Sequence, residues 1–306
     1  MKILVTGGSG MVGRNILEYS KRTNHTLLSP SSKNLDLLSY PKTLSYINEH
    51  KPDLIIHSAG LVGGIQANIK NPVDFLVKNT DMGRNIILAA RENKVKYFLN
   101  LSSSCMYPRN AKNPLGEDLV LKGELEPTNE GYAIAKVFST RLCEYINREN
   151  DYFLYKTIIP CNLYGKYDKF SVENSHMIPA VIRKILEAKK NNSKVVQIWG
   201  DGTARREFMY SEDLADFVFY AISNIEKLPQ NINVGLGGDY TIKEYYKTIA
   251  EIIGYDGEFE YDLTKPTGMK QKLVDVSKLR ELNWKHKTSL EEGIKNTINF
   301  YTENYL

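Results

Sequence analysis

The sequence predicts an α/β protein, a doubly wound parallel sheet followed by a smaller C-terminal substrate-binding lobe. Three observations carry that prediction. Short apolar, β-branched runs alternate with longer amphipathic stretches through the first half of the chain. A glycine-rich turn joins the first run directly to the first helix. The 306 residues, 42% hydrophobic and 25% charged, have globular proportions, and at roughly 150 residues per domain they divide into two bodies large enough to bury cores.

Strands are expected over 3–5, 53–57, 96–101 and 152–159, with a second strand ending at Thr26-Leu27-Leu28, and helices over about 11–22, 39–50, 71–93 and 131–149. That β-then-α rhythm is the pattern of a parallel sheet covered on both faces. Beyond Tyr164-Gly165 the pattern loosens into helix, short strand and loop, punctuated by Gly200, Gly202 and the pair Gly237-Gly238. The expected division is a cofactor-binding domain over 1–165 and a substrate lobe over 166–306. Segments near 205–235, with a helix at about 211–224 and a strand at about 231–234, are candidates to return to the first sheet.

Composition excludes several function classes. Lys and Arg number 40 against 36 Asp and Glu, a formal charge of +4, and they are scattered without a run of like charge. A dedicated nucleic-acid or membrane-surface role is not expected. The three cysteines, Cys105, Cys143 and Cys161, form no CxxC pair, and no histidine cluster has metal-ligand spacing, so neither a disulfide framework nor a metal site is expected. The N-terminus is too quickly interrupted for a signal peptide and no apolar run reaches membrane-spanning length. The expectation is a cytoplasmic protein.

Thr6-Gly7-Gly8-Ser9-Gly10-Met11-Val12-Gly13 follows the first strand and opens the first helix, with Gly7, Gly10 and Gly13 in a GxxGxxG spacing. Glycines there permit a sharp turn and close approach of backbone to a pyrophosphate, whose charge the helix N-terminus favours. This is the turn of a Rossmann-type dinucleotide-binding sheet. After the second strand the chain reads Ser29-Pro30-Ser31-Ser32-Lys33, with no acid to hold the ribose 2'-hydroxyl of NAD. Ser31 and Lys33 suit a 2'-phosphate, so the expected cofactor is NADP(H); as residues they read equally as a polar loop.

Tyr132 and Lys136 lie at i and i+4 on one helix face, and Ser103 lies among Ser102-Ser103-Ser104 at the C-terminal end of the fourth strand, where open α/β sheets bind ligands. A nearby ammonium favours a phenolate, so Lys136 is expected to lower the Tyr132 pKa and make it a proton donor and acceptor near neutral pH. The Ser103 hydroxyl then polarises a carbonyl as hydride arrives.

With these residues in place, the chain resembles the extended short-chain dehydrogenase/reductase family and, within it, the GDP-L-fucose synthase branch of NADPH-dependent epimerase-reductases. The resemblance runs nearly end to end, through GMVG at 10–13, VGGIQAN at 62–68, SSCMYP at 103–108, EPTNEGYAIAK at 126–136, NLYG at 162–165, NSHMIPA at 174–180 and WGDGTARREF at 199–208. It implies Tyr132 as acid/base, Lys136 as its partner and Ser103 as the carbonyl-polarising hydroxyl. It further implies Cys105 and His176 as the base and acid that epimerise the carbons flanking the ketone, whose hydrogens the carbonyl acidifies. By the same resemblance Met11, Val12, Asn79 and His176 complete the cofactor contacts. Asn162, Met177, Lys184, Trp199, Arg206 and Lys272 line the GDP-sugar site, and a homodimer forms through the helices at about 71–93 and 131–149. One departure is Ser9, where the family commonly carries a basic residue inside the glycine turn.

The implied function is NADPH-dependent reduction of the 4-keto group of a GDP-4-keto sugar, a 6-deoxy-hexose or a heptose, with epimerisation at carbon 3, carbon 5 or both, in the supply of sugars for polysaccharides. Ser104-Cys105-Met106 stands where a 4,6-dehydratase needs an acid/base pair of carboxylates, which disfavours dehydration. A reductase without epimerase activity, a nucleotide-sugar 4-epimerase and a non-catalytic NADP-sensing protein are the alternatives.

Overall fold

The computed structural model describes residues 1–172 and 175–306. Asn174, the first residue of the NSHMIPA stretch, lies outside the described residues. The first half runs β1 (Lys2–Thr6), α1 (Met11–Ser20), β2 (Thr26–Leu28), α2 (Tyr40–His50), β3 (Leu54–His57), α3 (Ile65–Lys70), α4 (Pro72–Glu92), β4 (Tyr97–Leu101), α5 (Glu130–Glu149) and β5 (Leu154–Pro160). The second half runs β6 (Asn162–Tyr164), α6 (Met177–Lys190), β7 (Val195–Trp199), β8 (Arg205–Arg206), β9 (Phe208–Tyr210), α7 (Ser211–Ser223), β10 (Asn231–Val234), β11 (Tyr240–Thr241), α8 (Ile242–Ile253), β12 (Glu258–Asp262), β13 (Gln271–Lys272), α9 (Ser277–Glu281) and α10 (Leu290–Tyr305).

Six parallel strands form the central sheet in the order β10-β5-β4-β3-β1-β2. Side chains alternate between the two faces, and both faces are buried. Ile3 and Val5, Leu54 and Ile56, and Leu99 and Leu101 enter one core with Ile16 of α1 and Leu214, Phe217 and Val218 of α7. Leu4, Ile55 and Phe98 enter the other, with Ile47 of α2, Ile86 and Ile87 of α4, and Ile146 of α5. Both cores explain why the strand segments read as unbroken apolar runs. The doubly wound parallel sheet expected from the sequence is the one observed.

From β1 the chain moves outward to β2 and then returns to the other side of β1 as β3. The crevice that this reversal opens at the C-terminal strand ends is where doubly wound sheets bind ligands. Later, β9, α7 and β10 carry the chain back to the sheet, with Asn231 opposite Thr157 of β5.

A separate core joins α6, α8 and α10 through Ile178, Val181 and Ile182, Tyr245 and Ile249, and Ile294. Over it β7 pairs with β12. Only Val196 and Ile198 of β7 are buried, so the strand alternates in and out and leaves Trp199 on its outer face. Helix α3 is absent from the sequence expectations for a physical reason: it has six residues, of which only Asn68 is buried, and so shows no apolar period. Among the described residues no helix is long and apolar enough to cross a membrane.

Candidate active site

Gly7 takes φ +74°, and a Cβ there would lie 2.6 Å from the backbone nitrogen of Ala59, just past β3. At Gly13 a Cβ would meet the Gly7 carbonyl oxygen at 2.2 Å. The turn is therefore pressed between β3 and the first turn of α1, where any side chain would force it apart. Gly10 caps α1 without a side-chain hydrogen bond, so the N–H groups of a first turn that begins with Met11 and Val12 are left to a ligand. A cradle lined by backbone at a helix N-terminus fits a pyrophosphate. The loop after β2 abuts this turn, since a Cβ at Gly8 would fall 1.8 Å from Ser29 Oγ. Ser31 and Lys33 are exposed in that loop, as is Ser9 in the turn.

Asn79 is placed differently from a simple cofactor ligand. Its Oδ1 accepts the Leu61 N–H at 2.8 Å while its Nδ2 donates to the carbonyls of Leu61 (3.1 Å) and Phe75 (2.7 Å). Both ends of the amide are thus engaged in pinning the loop after β3 to α4. At the same crevice His57 is buried, with Nδ1 2.9 Å from Thr6 Oγ1. Burial, reinforced by the Lys136 charge, pushes its pKa down to about 3, which keeps the imidazole neutral. Within a strand run nothing in the sequence distinguishes it.

The strand-end serines have separate tasks. Ser102 donates to Met106 Sδ and accepts from Thr140 Oγ1, both inside the core. Ser103 is half-buried, caps the turn Ser104–Met106 by accepting the Cys105 N–H at 3.2 Å, and faces the Tyr132 phenol. On α5, Tyr132 is half-buried and Lys136 is 7% exposed. The Lys136 ammonium donates to the Leu101 carbonyl at 2.9 Å and lies 5.7 Å from the Tyr132 ring centroid.

The expected lowering of the Tyr132 pKa is not what this arrangement produces. Burial raises it, a charge on Cys105 raises it further, and only the Ser103 hydrogen bond works downward. Lys136 is itself buried, which pushes its own pKa down to about 8, a trend that a charge on Cys105 opposes. Each group resists its charged form, and the ammonium is turned to a strand carbonyl instead of the phenol oxygen. In this state Tyr132 is a firmly protonated phenol.

Two side chains converge on Cys105. The Asn129 amide donates to Sγ at 3.2 Å, and Lys272, arriving on β13 from the second half, places Nζ 3.9 Å from it. Cys143 and Cys161 are buried, and burial raises both thiols. His176 sits at the N-terminus of α6 with Nδ1 3.2 Å from the buried Asp168. Lys272 acts electrostatically on His176 as well, so one ammonium influences both the sulfur and the imidazole.

Trp199 is 37% exposed and has two ammonium groups over its ring, Lys184 at 5.5 Å and Lys265 at 5.9 Å from the centroid. Burial lowers the Lys184 pKa and Arg183 adds to that. Arg206 is held by its own chain, Nη1 donating to the Arg205 carbonyl and Nη2 to that of Thr267. Asn162 Nδ2 donates to the Glu207 carbonyl at 2.8 Å, and Met177 opens α6 half-buried beside His176. Glu207 is wholly buried; Oε1 accepts the N–H groups of Leu236 and Gly237 and Oε2 that of Val274. Burial pushes its pKa up to about 6, against those three hydrogen bonds.

Asn129, Asp168 and Lys265 are the residues sequence reasoning missed. Asn129 stands three residues before Tyr132 inside the EPTNEGYAIAK stretch, the one signal available for it.

The family described as the NAD dependent epimerase/dehydratase family matches residues 3–235. The chain is 60% identical over 301 residues to a GDP-L-colitose synthase of Yersinia pseudotuberculosis, covering 98% of each. It is 46% identical over 300 residues to a GDP-L-fucose synthase of Azorhizobium caulinodans, covering 98% of this chain and 96% of that one. Among solved structures it superposes with a TM-score of 0.89 on a GDP-mannoheptose C4 reductase from Campylobacter jejuni with NADP bound, 33% identical and covering 98% of each chain.

Proposed function

Because the chain belongs to the NAD dependent epimerase/dehydratase family, within its GDP-L-fucose synthase branch, we propose that it is an NADP-dependent oxidoreductase that reduces the 4-keto group of a GDP-linked 4-keto sugar. The observation that carries the reading is the cluster of Ser103, a protonated Tyr132 and a buried Lys136, with a thiol beside it where dehydration would need a carboxylate.

The turn at Gly7–Gly13 and the N-terminus of α1 hold the pyrophosphate, with Ser31 and Lys33 toward the 2'-phosphate. When bound, NADPH supplies a hydride. Ser103 donates a hydrogen bond to the substrate carbonyl oxygen, and Tyr132 delivers its proton there as the oxygen becomes an alkoxide. A phenol held protonated is in the state that a reduction consumes. Lys136 supports the phenolate that remains and reaches the cofactor ribose. Arg206 and Lys184 meet the diphosphate, and Trp199 offers a face to the guanine or the sugar.

Cys105 and His176 epimerise a carbon beside the ketone: the sulfur takes a proton from one ring face and the imidazole returns one to the other. The 60% relative supports a 6-deoxy-hexose ring ahead of a heptose, and the 3-deoxy ring that the word colitose denotes is the first to assay. Exposed Val73 and Val77 on α4 and Ile134 and Phe138 on α5 support a homodimer across these helices. A cytoplasmic place in sugar supply for polysaccharides completes the reading.

The test is NADPH absorbance in the presence of GDP-4-keto-6-deoxy-mannose, its 3-deoxy counterpart and a GDP-4-keto-heptose. Oxidation with one of them supports the reading, and none with any of the three overturns it. Oxidation in deuterium oxide without solvent deuteron uptake would leave a plain 4-keto reductase.

A further inference from the structure

One buried carboxylate outside the residues discussed above as chemical groups faces one of them. Asp168 is 3% exposed, its Oδ1 lies 3.2 Å from His176 Nδ1 and accepts the Lys169 N–H at 2.7 Å. Its Oδ2 is buried with no hydrogen-bond partner among the described residues. Removing a carboxylate from water is costly unless it is paired, so its place beneath an imidazole calls for a reason.

The loop that carries it is built to hold it there. Gly165 has φ +141°, and a Cβ on it would strike Ser211 Oγ at 2.5 Å. Tyr167 adopts a left-handed φ of 68°, a conformation a bulky residue takes only when its surroundings demand it. Its ring packs edge-on against Phe300 with the Arg14 guanidinium 4.9 Å above it, and its hydroxyl donates to Glu18 at 3.3 Å. On the other side of Asp168, Lys169 Nζ donates to the Val62 carbonyl at 2.9 Å.

We propose that Asp168 is a positioning residue for His176, holding the Nδ1 proton so that the ring presents Nε2–H to the sugar. The inference rests on the reading of His176 as the epimerising acid. Among the described residues, the charges that act on the imidazole are Asp168 and Lys169 on the loop and Lys272 on β13. Burial and both lysines disfavour the imidazolium; the charge and hydrogen bond of Asp168 outweigh them, so the His176 pKa lies above its ordinary value. In the step this serves, Cys105 Sγ takes the proton from a carbon beside the ketone, breaking C–H, forming S–H and leaving an enolate. The enolate electron pair then takes the Nε2 proton on the opposite face, which restores the ketone and leaves a neutral imidazole. Exchange with water returns both groups to their starting states.

The test combines nitrogen-15 NMR of the His176 ring with solvent deuterium exchange at the carbons flanking the ketone, in wild type, Asp168→Asn and His176→Asn, with circular dichroism and thermal unfolding checking the fold. Wild type should carry the neutral-form proton on Nδ1 and titrate above about 6.5. Asp168→Asn should keep the wild-type fold, lower the His176 titration by about one pH unit or more and slow exchange by at least about ten-fold. Its exchange profile should move to lower pH by the same amount. A wild-type ring that titrates below 6.5 with its proton on Nε2 would overturn the proposal even if the variant does not fold, as would a variant with unchanged titration and exchange. Undiminished exchange in His176→Asn would instead sink the acid assignment, while the ring titration still decides what Asp168 does.

Discussion

Replacing Lys136 with methionine separates the stability of this site from its function. Lys136 is 7% exposed and burial pushes its pKa down to about 8, from an ordinary 10.5. At about 1.36 kcal/mol per pKa unit, that difference of about 2.5 means that holding the ammonium protonated in the folded enzyme costs up to about 3.4 kcal/mol below pH 8. The sign follows from proton binding: between pH 8 and 10.5 the unfolded chain keeps a proton the folded chain has released, so stability rises with pH across that window. Methionine fills a similar volume without the charge but loses the hydrogen bond to the Leu101 carbonyl, which costs about 1–2 kcal/mol. Lys136→Met should therefore be more stable than wild type by about 1–2 kcal/mol at pH 7, and less stable near pH 10, while turnover is abolished. Urea unfolding of both proteins without cofactor at pH 7, 8.5 and 10 measures the difference, and groups common to both cancel. A difference that stays flat across this range would mean that Lys136 does not lose its proton more readily in the folded chain than in the unfolded one.

Other perturbations address other parts of the structure. Asn79→Ala releases the Leu61 loop, and should raise the KM for NADPH by roughly ten-fold and lower stability by about 1–3 kcal/mol, read by steady-state kinetics and thermal unfolding. Glu207 has its pKa pushed up to about 6, so the folded chain keeps a proton there that the unfolded chain has already lost. The stability of wild type relative to Glu207→Gln should fall by up to about 2 kcal/mol as pH rises through the range 4.5 to 6, read in a melting series of both proteins. Phe138→Glu puts a charge into the exposed apolar face of α4 and α5; on the proposed homodimer across these helices, light scattering should report a dimer for wild type and a monomer for the variant.

Much of the fold is legible because the inner strands of the six-stranded sheet are buried on both faces: Ile3, Leu4 and Val5 are all buried, so a short run stands out against its surroundings. The glycine turn is legible because its glycines answer to steric demands, Gly7 against Ala59 and Gly13 against Gly7. Helix α3 was not legible, having almost no buried face. The state of Tyr132 is not legible because spacing reveals that a cation is near but not that both partners are desolvated or that the ammonium turns to Leu101. Pairings that depend on loop paths escape sequence reading altogether. Asp168 meets His176 only through the turn at Gly165–Lys169, and Lys265 reaches Trp199 from a segment sixty-odd residues away, brought close by the pairing of β12 with β7.

The central claim is that a hydride passes from NADPH to carbon 4 of a GDP-linked sugar beside Ser103 and Tyr132. The most direct test is NADPH carrying deuterium at both C4 positions of its nicotinamide, incubated with GDP-4-keto-6-deoxy-mannose or its 3-deoxy counterpart, the product being analysed by mass spectrometry and NMR. One deuterium is expected on sugar carbon 4, and none with Tyr132→Phe. A product with no deuterium at carbon 4, or undiminished transfer in Tyr132→Phe, would contradict it.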